Sequence, residues 1–461
     1  MNKKSFPILF LAAALLLSFS YPTFVSGEEP VPAPTGDSAT TSDIPPIFSL
    51  EAAVQRGLEA NPRVEAYEHG VDAAESRLKS ARGQFLPRLS ATAGIRRLNN
   101  RSDEEFNQDY LDQNTVSYGF RLSQPLFAGL RILNSWRKAG LEAEVSEARL
   151  RMQQLDLTHR IQVYFLELLR VREDLRAARA AVERLETQLK AAEAWFKVEM
   201  RPRLEVLQTK AELEAARNRV VTIANAEQVL MTRLHVLLDL PRDRNVQYDD
   251  DLLVRVPVAL PDPEFFFESA RKQRPDLEMA RKSVEIAEKD KSLAKGGFVP
   301  RVNLDAGYNY SDMDYRVDKP YEVERKYWSV GINAEWEFFS GGRDYYETRR
   351  SIQVLSAQEA QERETEQTVM AEVREALLGH ADALVLIEGA REALEAAREA
   401  YDAAQSRYRA GVGTITDILN TQDQLTRAET DLTRAKADRF AAMADLYRAA
   451  GILNPDLRPI R

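Results

Sequence analysis

The sequence of 461 residues lacks several residue types and motifs that most enzymes depend on. It has no cysteine, which excludes disulfide bonds, thiolate metal sites, a cysteine nucleophile and a lipid-modified N-terminal cysteine. Its four histidines lie far apart without metal-ligand spacing; they are His69, His159, His235 and His380. Phosphate-binding loops, nucleophile elbows and zinc motifs are also missing. The sequence therefore predicts a protein that is not an enzyme and has neither a cofactor nor a metal site.

An excess of basic residues is missing as well. The chain has 63 lysines and arginines against 72 aspartates and glutamates, a formal net charge of −9, which argues against a nucleic-acid-binding protein. The acidic run Asp249–Asp251 lies in residues 241–261, which we interpret as a linker with solvated side chains. Because 44% of the residues are hydrophobic and long stretches are periodic, we expect most of the chain to fold.

Long apolar runs are absent after the N-terminus, so no transmembrane helix is predicted. The N-terminus has two lysines, then a short apolar core, Ile8–Phe19, and then Val25 and Gly27, which suit positions −3 and −1 of a cleavage site. Residues 1–27 are therefore predicted to be a secretory signal peptide. The alternative is a membrane anchor, for which the apolar run is too short. Residues 28–47, rich in Pro, Thr, Ser and Asp, are predicted to be a disordered leader.

The rest of the chain contains one unit in two copies. "FLPR" at Phe85–Arg88 returns as "FVPR" at Phe298–Arg301, 213 residues later. Further pairs at this offset are Pro62 and Pro275, Gly83 and Gly296, and Gly94 and Gly307. Such a spacing is typical of an internal repeat. We place the first unit at residues 48–240, the second at 262–452, and a C-terminal tail at 453–461.

Each unit is predicted to run helix, strand, loop, strand, long helix, turn, helix. In the first unit we expect helices at Arg63–Gln84, Arg131–Lys197 and Arg203–Leu240. The helical parts repeat apolar residues every 3.5 positions on average, as coiled coils do. The long helix has 67 residues, roughly 100 Å, and the two shorter ones together measure roughly 90 Å. Two short helices stacked beside a long one would therefore build a wall of even height.

The predicted strands alternate apolar and polar residues, and each has about ten residues, the length that a tilted membrane strand needs. They lie at 87–97, 115–125, 300–310 and 327–338, joined in pairs by polar loops at 98–115 and 311–326. Pro87 and Pro300 are expected to mark the helix-to-strand junctions, because the residue before a proline disfavours the helical conformation.

The apolar faces of these strands are predicted to contact lipid. Aromatic residues near the strand ends fit the girdles of a membrane barrel; they are Tyr118, Tyr308, Tyr310, Trp328 and Trp336. The alternative is a pair of soluble hairpins packed on a helical core. Four strands are too few to close a barrel, and lipid does not tolerate open edges. The membrane interpretation therefore predicts an oligomer, with eight strands and a filled interior from two copies, or twelve and a pore from three.

The repeated unit resembles the TolC-like outer-membrane efflux family over about Ser49 to Ile452. The matching phrases are Asn61–Pro62, Phe85–Arg88, Phe298–Arg301, "QPLFAG" at Gln124–Gly129, "FFSGG" at Phe338–Gly342 and "YRAGVGTITDILNTQ" at Tyr408–Gln422. The resemblance implies a mainly α fold with membrane β. In it, four strands per subunit share a trimeric 12-stranded β-barrel in outer-membrane lipid, continuous with a long periplasmic α-helical barrel.

The resemblance also implies a function. The chain would be a homotrimeric exit duct of a tripartite efflux or type I secretion system, passively exporting substrates with a periplasmic adaptor (membrane fusion) protein and an inner-membrane transporter. Drug efflux, metal efflux and protein secretion all remain open. The alternative function is a periplasmic coiled-coil scaffold without a pore, and an envelope hydrolase would need a catalytic constellation that the sequence lacks.

Two groups of site residues follow from the resemblance. The second helix-turn-helix tip is expected to dock the adaptor through Gly411, Val412, Gly413 and Thr414. The first tip, Glu199–Arg203, lacks these glycines and so departs from the family pattern at this point.

The same tips are expected to close the pore. Asp417 matches an aspartate that rings the constriction in the family, Glu205 is its repeat partner, and Tyr408 matches a tyrosine that holds neighbouring helices shut near Glu205. Six such carboxylates in a trimer would favour cations; alternatively they are merely solvated. Gly413 stands where some members have a linking arginine, and Asn420 where some have a second aspartate. Either Arg201 or Arg203 could replace that arginine.

Overall fold

The computed structural model describes residues 47–101, 110–241, 246–249, 251–254, 260–315 and 321–458. The predicted signal peptide and nearly all of the predicted leader lie outside these residues. The chain divides into two units, Met1–Ile47 and Phe48–Arg461, and the architecture given below is that of the second. Over the described residues, no helix combines the length and the apolar character that crossing a membrane requires.

Helices make up most of the second unit. They are α1 (Leu50–Ala60), α2 (Pro62–Gly83), α3 (Arg131–Lys197), α4 (Arg203–Leu237), α5 (Pro263–Gln273), α6 (Pro275–Lys295), α7 (Arg343–Arg409) and α8 (Ile415–Ala449). The predicted bounds of α3 are confirmed. The helix predicted to reach Leu240 ends at Leu237 instead. Asp239 adopts a left-handed φ of 49°, and the N–H of Leu240 donates to the carbonyl of His235 (2.9 Å), which closes the helix end.

Two junctions join the short helices to the ends of α4 and α8. Asn61 lies between α1 and α2, and its Nδ2 donates to the carbonyl of Leu237 (2.8 Å). Arg274 lies between α5 and α6, and its Nη1 donates to the carbonyl of Ala449 (3.1 Å). A proline follows in both cases and begins the next helix, where its missing N–H costs nothing. Each junction therefore brings three helix ends together.

The helices follow a simple order of contacts. α3 packs against α2 and α4, and also against α6 and α8, while α7 packs against α6 and α8. The core is densest along α3, where Leu157, Ile161, Phe165 and Leu168 are almost fully buried. Helix α7 is therefore one outer member of this packing order, and α2 together with α4 is the other. Large apolar side chains remain exposed on both outer members: Val221, Val229 and Val236 on α4, and Leu378, Val385 and Leu386 on α7.

One antiparallel sheet carries the four long strands, in the order β1 (Arg88–Arg101), β2 (Tyr110–Phe127), β3 (Arg301–Tyr315), β4 (Tyr321–Glu335). The β2–β3 ladder joins the two halves of the chain, and β1 and β4 are the edge strands. The remaining elements are the two-residue strands Ile47–Phe48 and Gln247–Tyr248 and the 3-10 turns Asp251–Val254 and Gly296–Phe298.

At the hairpin ends the observed strands extend well beyond the predicted ones. Most residues of the two predicted loops therefore lie in strands, and the prediction of loops there is wrong. β1 continues to Arg101 and β3 to Tyr315, because backbone pairing persists after the side-chain alternation ends. Side chains support the extension: Arg97 forms an ion pair with Asp112 (3.1 Å), and Tyr315 stacks on Tyr321 (4.5 Å between centroids). Residues 102–109 and 316–320 lie outside the described residues. At its other end β4 stops at Glu335, not at 338 as predicted.

The register aligns apolar residues across all four strands. Ala91, Phe120, Tyr308 and Trp328 form one row, and Leu89, Leu122, Ala306 and Val330 form the next. This apolar face is open: Leu89 is 76% exposed and Trp328 is 77% exposed. The opposite, polar face carries rows such as Ser90, Arg121, Gly307 and Ser329. An exposed apolar face of this size marks a contact with lipid or with another protein.

Candidate functional site at the helix-turn-helix tips

Two turns end the long helices, and their backbones are built differently. The second tip, residues 410–414 between α7 and α8, uses Gly411 at φ 80°, a conformation that glycine adopts without strain. Thr414 then caps α8: its Oγ1 accepts from the N–H of Asp417 (3.2 Å), and the Asp417 carboxylate accepts from the N–H of Thr414 (3.0 Å). This reciprocal pair is a capping box.

The first tip, residues 198–202 between α3 and α4, has no glycine. Glu199 takes the left-handed conformation instead, at φ 60°, which is uncommon for a residue with a Cβ. The N–H of Met200 donates to the carbonyl of Trp195 (3.0 Å), and Pro202 precedes α4. The first tip therefore reaches a similar reversal of direction at the expense of a strained residue.

A buried hydrogen bond connects the two tips. Tyr408 Oη, at the end of α7, donates to Glu205 Oε2, in the first turn of α4 (2.8 Å). Tyr408 is only 4% exposed and Glu205 only 8%. Burial raises the pKa of the Tyr408 phenol to about 12, and the bond to Glu205 acts in the same direction. The phenol therefore stays protonated, and remains a donor, throughout the neutral range.

Arg201 completes this contact. Its Nη1 lies 3.4 Å from Glu205 Oε1, its Nη2 lies 3.5 Å from the carbonyl oxygen of Gly413, and its guanidinium carbon lies 4.7 Å from the centre of the Tyr408 ring. Arg203 is exposed on α4. Of the two arginines that the sequence left open, the structure therefore brings Arg201 to the site. We call Arg201, Glu205, Tyr408 and the Gly413 carbonyl the tip clasp.

Asp417 has a different local role from Glu205. Its carboxylate accepts from the N–H and the hydroxyl of Thr414 (3.0 and 2.8 Å). The backbone hydrogen bond from Thr414 is the main reason that the pKa of the Asp417 carboxyl lies below its usual range, and Arg407 contributes in the same direction. Asp417 and Asn420 are both exposed. The structure therefore uses Asp417 to cap α8 and does not place it in the tip clasp.

The predicted docking residues divide into two pairs. Val412 is 71% exposed, and a Cβ on Gly411 would meet open space, so these two positions face outward. Gly413 is packed: a Cβ there would come within 2.9 Å of the backbone nitrogen of Tyr408. Thr414 is occupied in the capping box. Gly411 and Val412 thus present the surface of the tip, while Gly413 and Thr414 hold its shape.

The first tip has exposed apolar residues that the sequence interpretation missed. Met200 is 66% exposed, and Val198 and Leu204 are exposed as well. The signal was present in the sequence as valine and methionine in a turn that otherwise holds charged residues and proline. Both tips therefore offer an apolar surface, although only the second has the glycine-rich backbone.

At the other end of the long helices, the predicted junction and girdle residues occupy the sheet region. Pro87 directly precedes β1, and Pro300 directly precedes β3. Tyr118 stacks on Tyr310 across β2 and β3 (4.5 Å between centroids). Trp336 lies one residue past β4, where its Nε1 donates to the carbonyl of Phe298 (3.1 Å). Aromatic rings thus occur at both ends of the apolar face.

Comparisons with known proteins identify this architecture. A family model described as outer membrane efflux protein matches the chain twice, at residues 53–238 and 267–452. Outer membrane protein TolC of Vibrio cholerae is 24% identical over 300 residues, which are 64% of this chain and 66% of that relative. Alkaline protease secretion protein AprF of Pseudomonas aeruginosa is 23% identical over 305 residues, 64% of this chain and 62% of that relative. The aligned part is thus just under two thirds of each relative's length.

A solved structure extends the likeness to the fold. The outer membrane channel CmeC of Campylobacter jejuni superposes with a TM-score of 0.76 at 17% sequence identity, over 87% of this chain and 85% of that one. The similarity to CmeC concerns the fold alone. The two matches of the family model cover both halves of the chain. The chain therefore belongs to the outer membrane efflux protein family, a family of outer-membrane channels.

Proposed function

We propose that the chain is the exit duct of a tripartite efflux or type I secretion system, passively exporting its cargo from periplasm or cytoplasm to the exterior. Three copies would share a 12-stranded barrel in the outer membrane and a helical tunnel in the periplasm. The observation that carries the proposal is a four-stranded sheet with an exposed apolar face and two open edges. Such a sheet is incomplete alone, because open edges are not tolerated in lipid.

The edges of the sheet support a ring. β1 and β4 are different strands, so joining β4 of one copy to β1 of the next is a heterologous contact, which repeats around an axis until it closes. The outer helices offer a second contact of this kind, since apolar side chains are exposed on α4 and on α7. Two copies would supply only eight strands, whose interior is filled by side chains, whereas three would supply twelve and leave a pore.

The apolar face supports a membrane-spanning position. Trp336 and Lys326, which is in the row of Tyr310, are ten residue steps apart, or about 34 Å at 3.4 Å per residue. At a tilt of about 45°, that length crosses about 24 Å, close to the apolar band of outer-membrane barrels. Beyond this row the same face becomes acidic, at Asp312 and Glu324. Trp336 at one end and Tyr118, Tyr308, Tyr310 and Trp328 at the other would be the interfacial girdles.

The tip clasp supports a closed pore at the periplasmic end. It joins α7 to α4 through buried partners, so separating the two tips requires breaking a charged hydrogen bond and an ion pair. We propose that Glu205 and Tyr408 form the gate with Arg201, that Asp417 adds charge near it, and that Gly411 and Val412 dock a periplasmic adaptor. An inner-membrane transporter would then supply the cargo.

The competing function is a periplasmic scaffold without a pore, and membrane fractionation separates the two. We expect the mature protein to stay in the outer-membrane fraction after a high-salt wash and to migrate as a trimer by native mass measurement in mild detergent. Release by high salt would favour the scaffold. A monomer as the sole species in mild detergent would overturn the shared barrel.

A further inference from the structure

Arginines dominate the charge on the polar face of the sheet. The strand register places five arginines and two acidic residues there: Arg88, Arg96, Arg121, Arg301 and Arg325 against Asp305 and Glu335. The difference is 5 − 2 = +3 per chain, in a protein whose net charge is −9. All five arginines are exposed. They are spread along the strands, from Arg301 at the helix end to Arg96 and Arg325 near the hairpins.

Most of these arginines have their donors available. Among the ion pairs of the described residues, none includes Arg88, Arg96, Arg301 or Arg325. Asp305 accepts a hydrogen bond from Asn333 Nδ2 (2.8 Å), and Arg121 is its diagonal neighbour on β2. The other guanidinium groups therefore retain the fork of N–H donors that binds phosphate, sulfate or carboxylate in two-point contacts.

The other face of the same strands has the opposite charge pattern. Beyond its apolar rows it carries five acids, Asp112, Asp312, Asp314, Glu322 and Glu324. The register also places three bases there, Arg97, Arg101 and Lys326, and of these Arg97 is paired with Asp112 (3.1 Å) and Lys326 with Glu324 (2.7 Å). The polar face thus carries arginines that form no ion pair within the described part of the chain, whereas most of the charged residues on the other face are acids.

We propose that the polar face is a low-affinity binding surface for anionic solutes, so that the sheet end of the duct favours cargo carrying phosphate, sulfate or carboxylate groups. The proposal rests on the proposed function, in which this face lines a water-filled lumen. Three chains would then place fifteen arginines and six acids around one axis, and a low-dielectric wall would concentrate their field in the lumen. At the tips Glu205 is already paired with Arg201, so the sheet carries the larger unbalanced charge.

Adjacent residues on opposite faces provide a matched test. Arg96→Gln with Arg325→Gln removes two positive charges from the polar face, whereas Arg97→Gln with Lys326→Gln removes two from the other face. Purified trimers would be inserted into zwitterionic phosphatidylcholine bilayers, so that lipid charge plays no part. Sucrose octasulfate, a small polyanion, would be added on the side of the sheet while single-channel current is recorded.

We expect sucrose octasulfate to block wild-type current. The apparent affinity should fall by about tenfold or more in the Arg96→Gln, Arg325→Gln variant, and remain within about twofold in the control. In a KCl gradient the reversal potential should move toward cations in the first variant alone. The charge-preserving pair Arg96→Lys, Arg325→Lys should keep most of the block.

Equal losses in the two variants, or current without block in the wild type, would overturn the anion surface while leaving the duct intact. Absence of any ion current both from wild-type trimers and from trimers opened by Tyr408→Phe with Glu205→Ala would instead overturn the duct, and the inference with it. If the first variant fails to assemble, the salt dependence of the wild-type block decides. Raising KCl from 0.1 to 1 M shortens the screening length from about 10 to about 3 Å, and a block that does not weaken contradicts the proposal.

Discussion

The two helix-turn-helix tips occupy equivalent places in the two halves, but they contribute different residues and contacts. The second tip has Gly411 in the left-handed conformation and a capping box on α8. The first tip has Glu199 in that conformation and no glycine, and it contributes Arg201 and Glu205 to the tip clasp. Arg201 and Gly413 are 212 residues apart, the offset that relates the two tips in sequence.

The difference has a steric reason. A Cβ at position 413 would come within 2.9 Å of the backbone nitrogen of Tyr408, closer than real Cβ contacts are, so the second turn has no room for an arginine. The first turn supplies the guanidinium instead and reaches the carbonyl of Gly413 (3.5 Å). One tip thus provides the backbone shape and the other provides the charge.

The largest effect is expected from a charge introduced on the outer surface of the second tip, which should matter more for adaptor binding than a charge on the first tip. Val412→Asp should weaken adaptor binding by about 2 kcal/mol, roughly thirtyfold, because an uncompensated carboxylate would enter an apolar contact. Gly411→Asp should act in the same direction, with some added strain from a Cβ at φ 80°, and both should fold. The measurement is export by intact cells, with the amount of trimer in the outer membrane determined in parallel.

Met200→Asp is the matched control on the first tip, since Met200 is exposed to a similar extent as Val412. We expect it to reduce export less. Equal losses of export in Met200→Asp and Val412→Asp would show that both tips dock the adaptor. Wild-type export in both Gly411→Asp and Val412→Asp would show that the second tip takes no part in docking.

Breaking the clasp should open the pore. Tyr408→Phe combined with Glu205→Ala removes a buried hydrogen bond to a charged acceptor, worth about 2 kcal/mol, so the ratio of open to closed states should rise roughly thirtyfold. Single-channel conductance in planar bilayers is the readout. If properly trimeric variants conduct as the wild type does, the clasp is a structural contact and not a gate.

A smaller effect distinguishes the two arginines. Arg201→Ala removes a partly buried ion pair and a cation–π contact, worth together about 1 kcal/mol, or roughly a fivefold change in the open population. Arg203→Ala is the control, from which we expect no change in conductance. In a double-mutant cycle, Arg201→Ala should couple to Tyr408→Phe. Additive effects would contradict a shared clasp.

The smallest effect concerns Asp417. Asp417→Asn should slightly reduce cation preference, seen as a smaller reversal potential in a salt gradient, and slightly lower the melting temperature through a weaker cap. The pKa of Asp417 is depressed, so its stabilisation is present above the ordinary carboxyl range, near pH 4, and is lost as the pH falls through the lower value. The melting temperatures of the two proteins should therefore converge on acidification. A difference that persists at low pH would refute this role for the carboxylate.

The sequence was sufficient for elements that depend on local pattern. The bounds of α3 were predicted correctly because a glycine precedes its start and a proline follows its end, and the partnership of Tyr408 with Glu205 followed from the resemblance. The choice of Arg201 over Arg203 was out of reach, since it depends on a contact between turns 212 residues apart. The strand ends were underestimated because the ladder beyond Leu98 is held by backbone pairing and cross-strand contacts, which leave no alternation in the sequence.

The junctions at Asn61 and Arg274 make the two halves mechanically unequal. Asn61 fastens the end of α4 through a neutral amide, a bond worth about 1 kcal/mol. Arg274 fastens the end of α8 with a buried, charged guanidinium that Asp276 (2.7 Å) and Glu372 (2.8 Å) hold in place; a hydrogen bond that involves a charged group is worth about 1.5 to 3 kcal/mol. If both tips are pulled, the C-terminal end of α4 should therefore detach from its junction before the C-terminal end of α8 does. The first half would then move relative to α8, which stays attached.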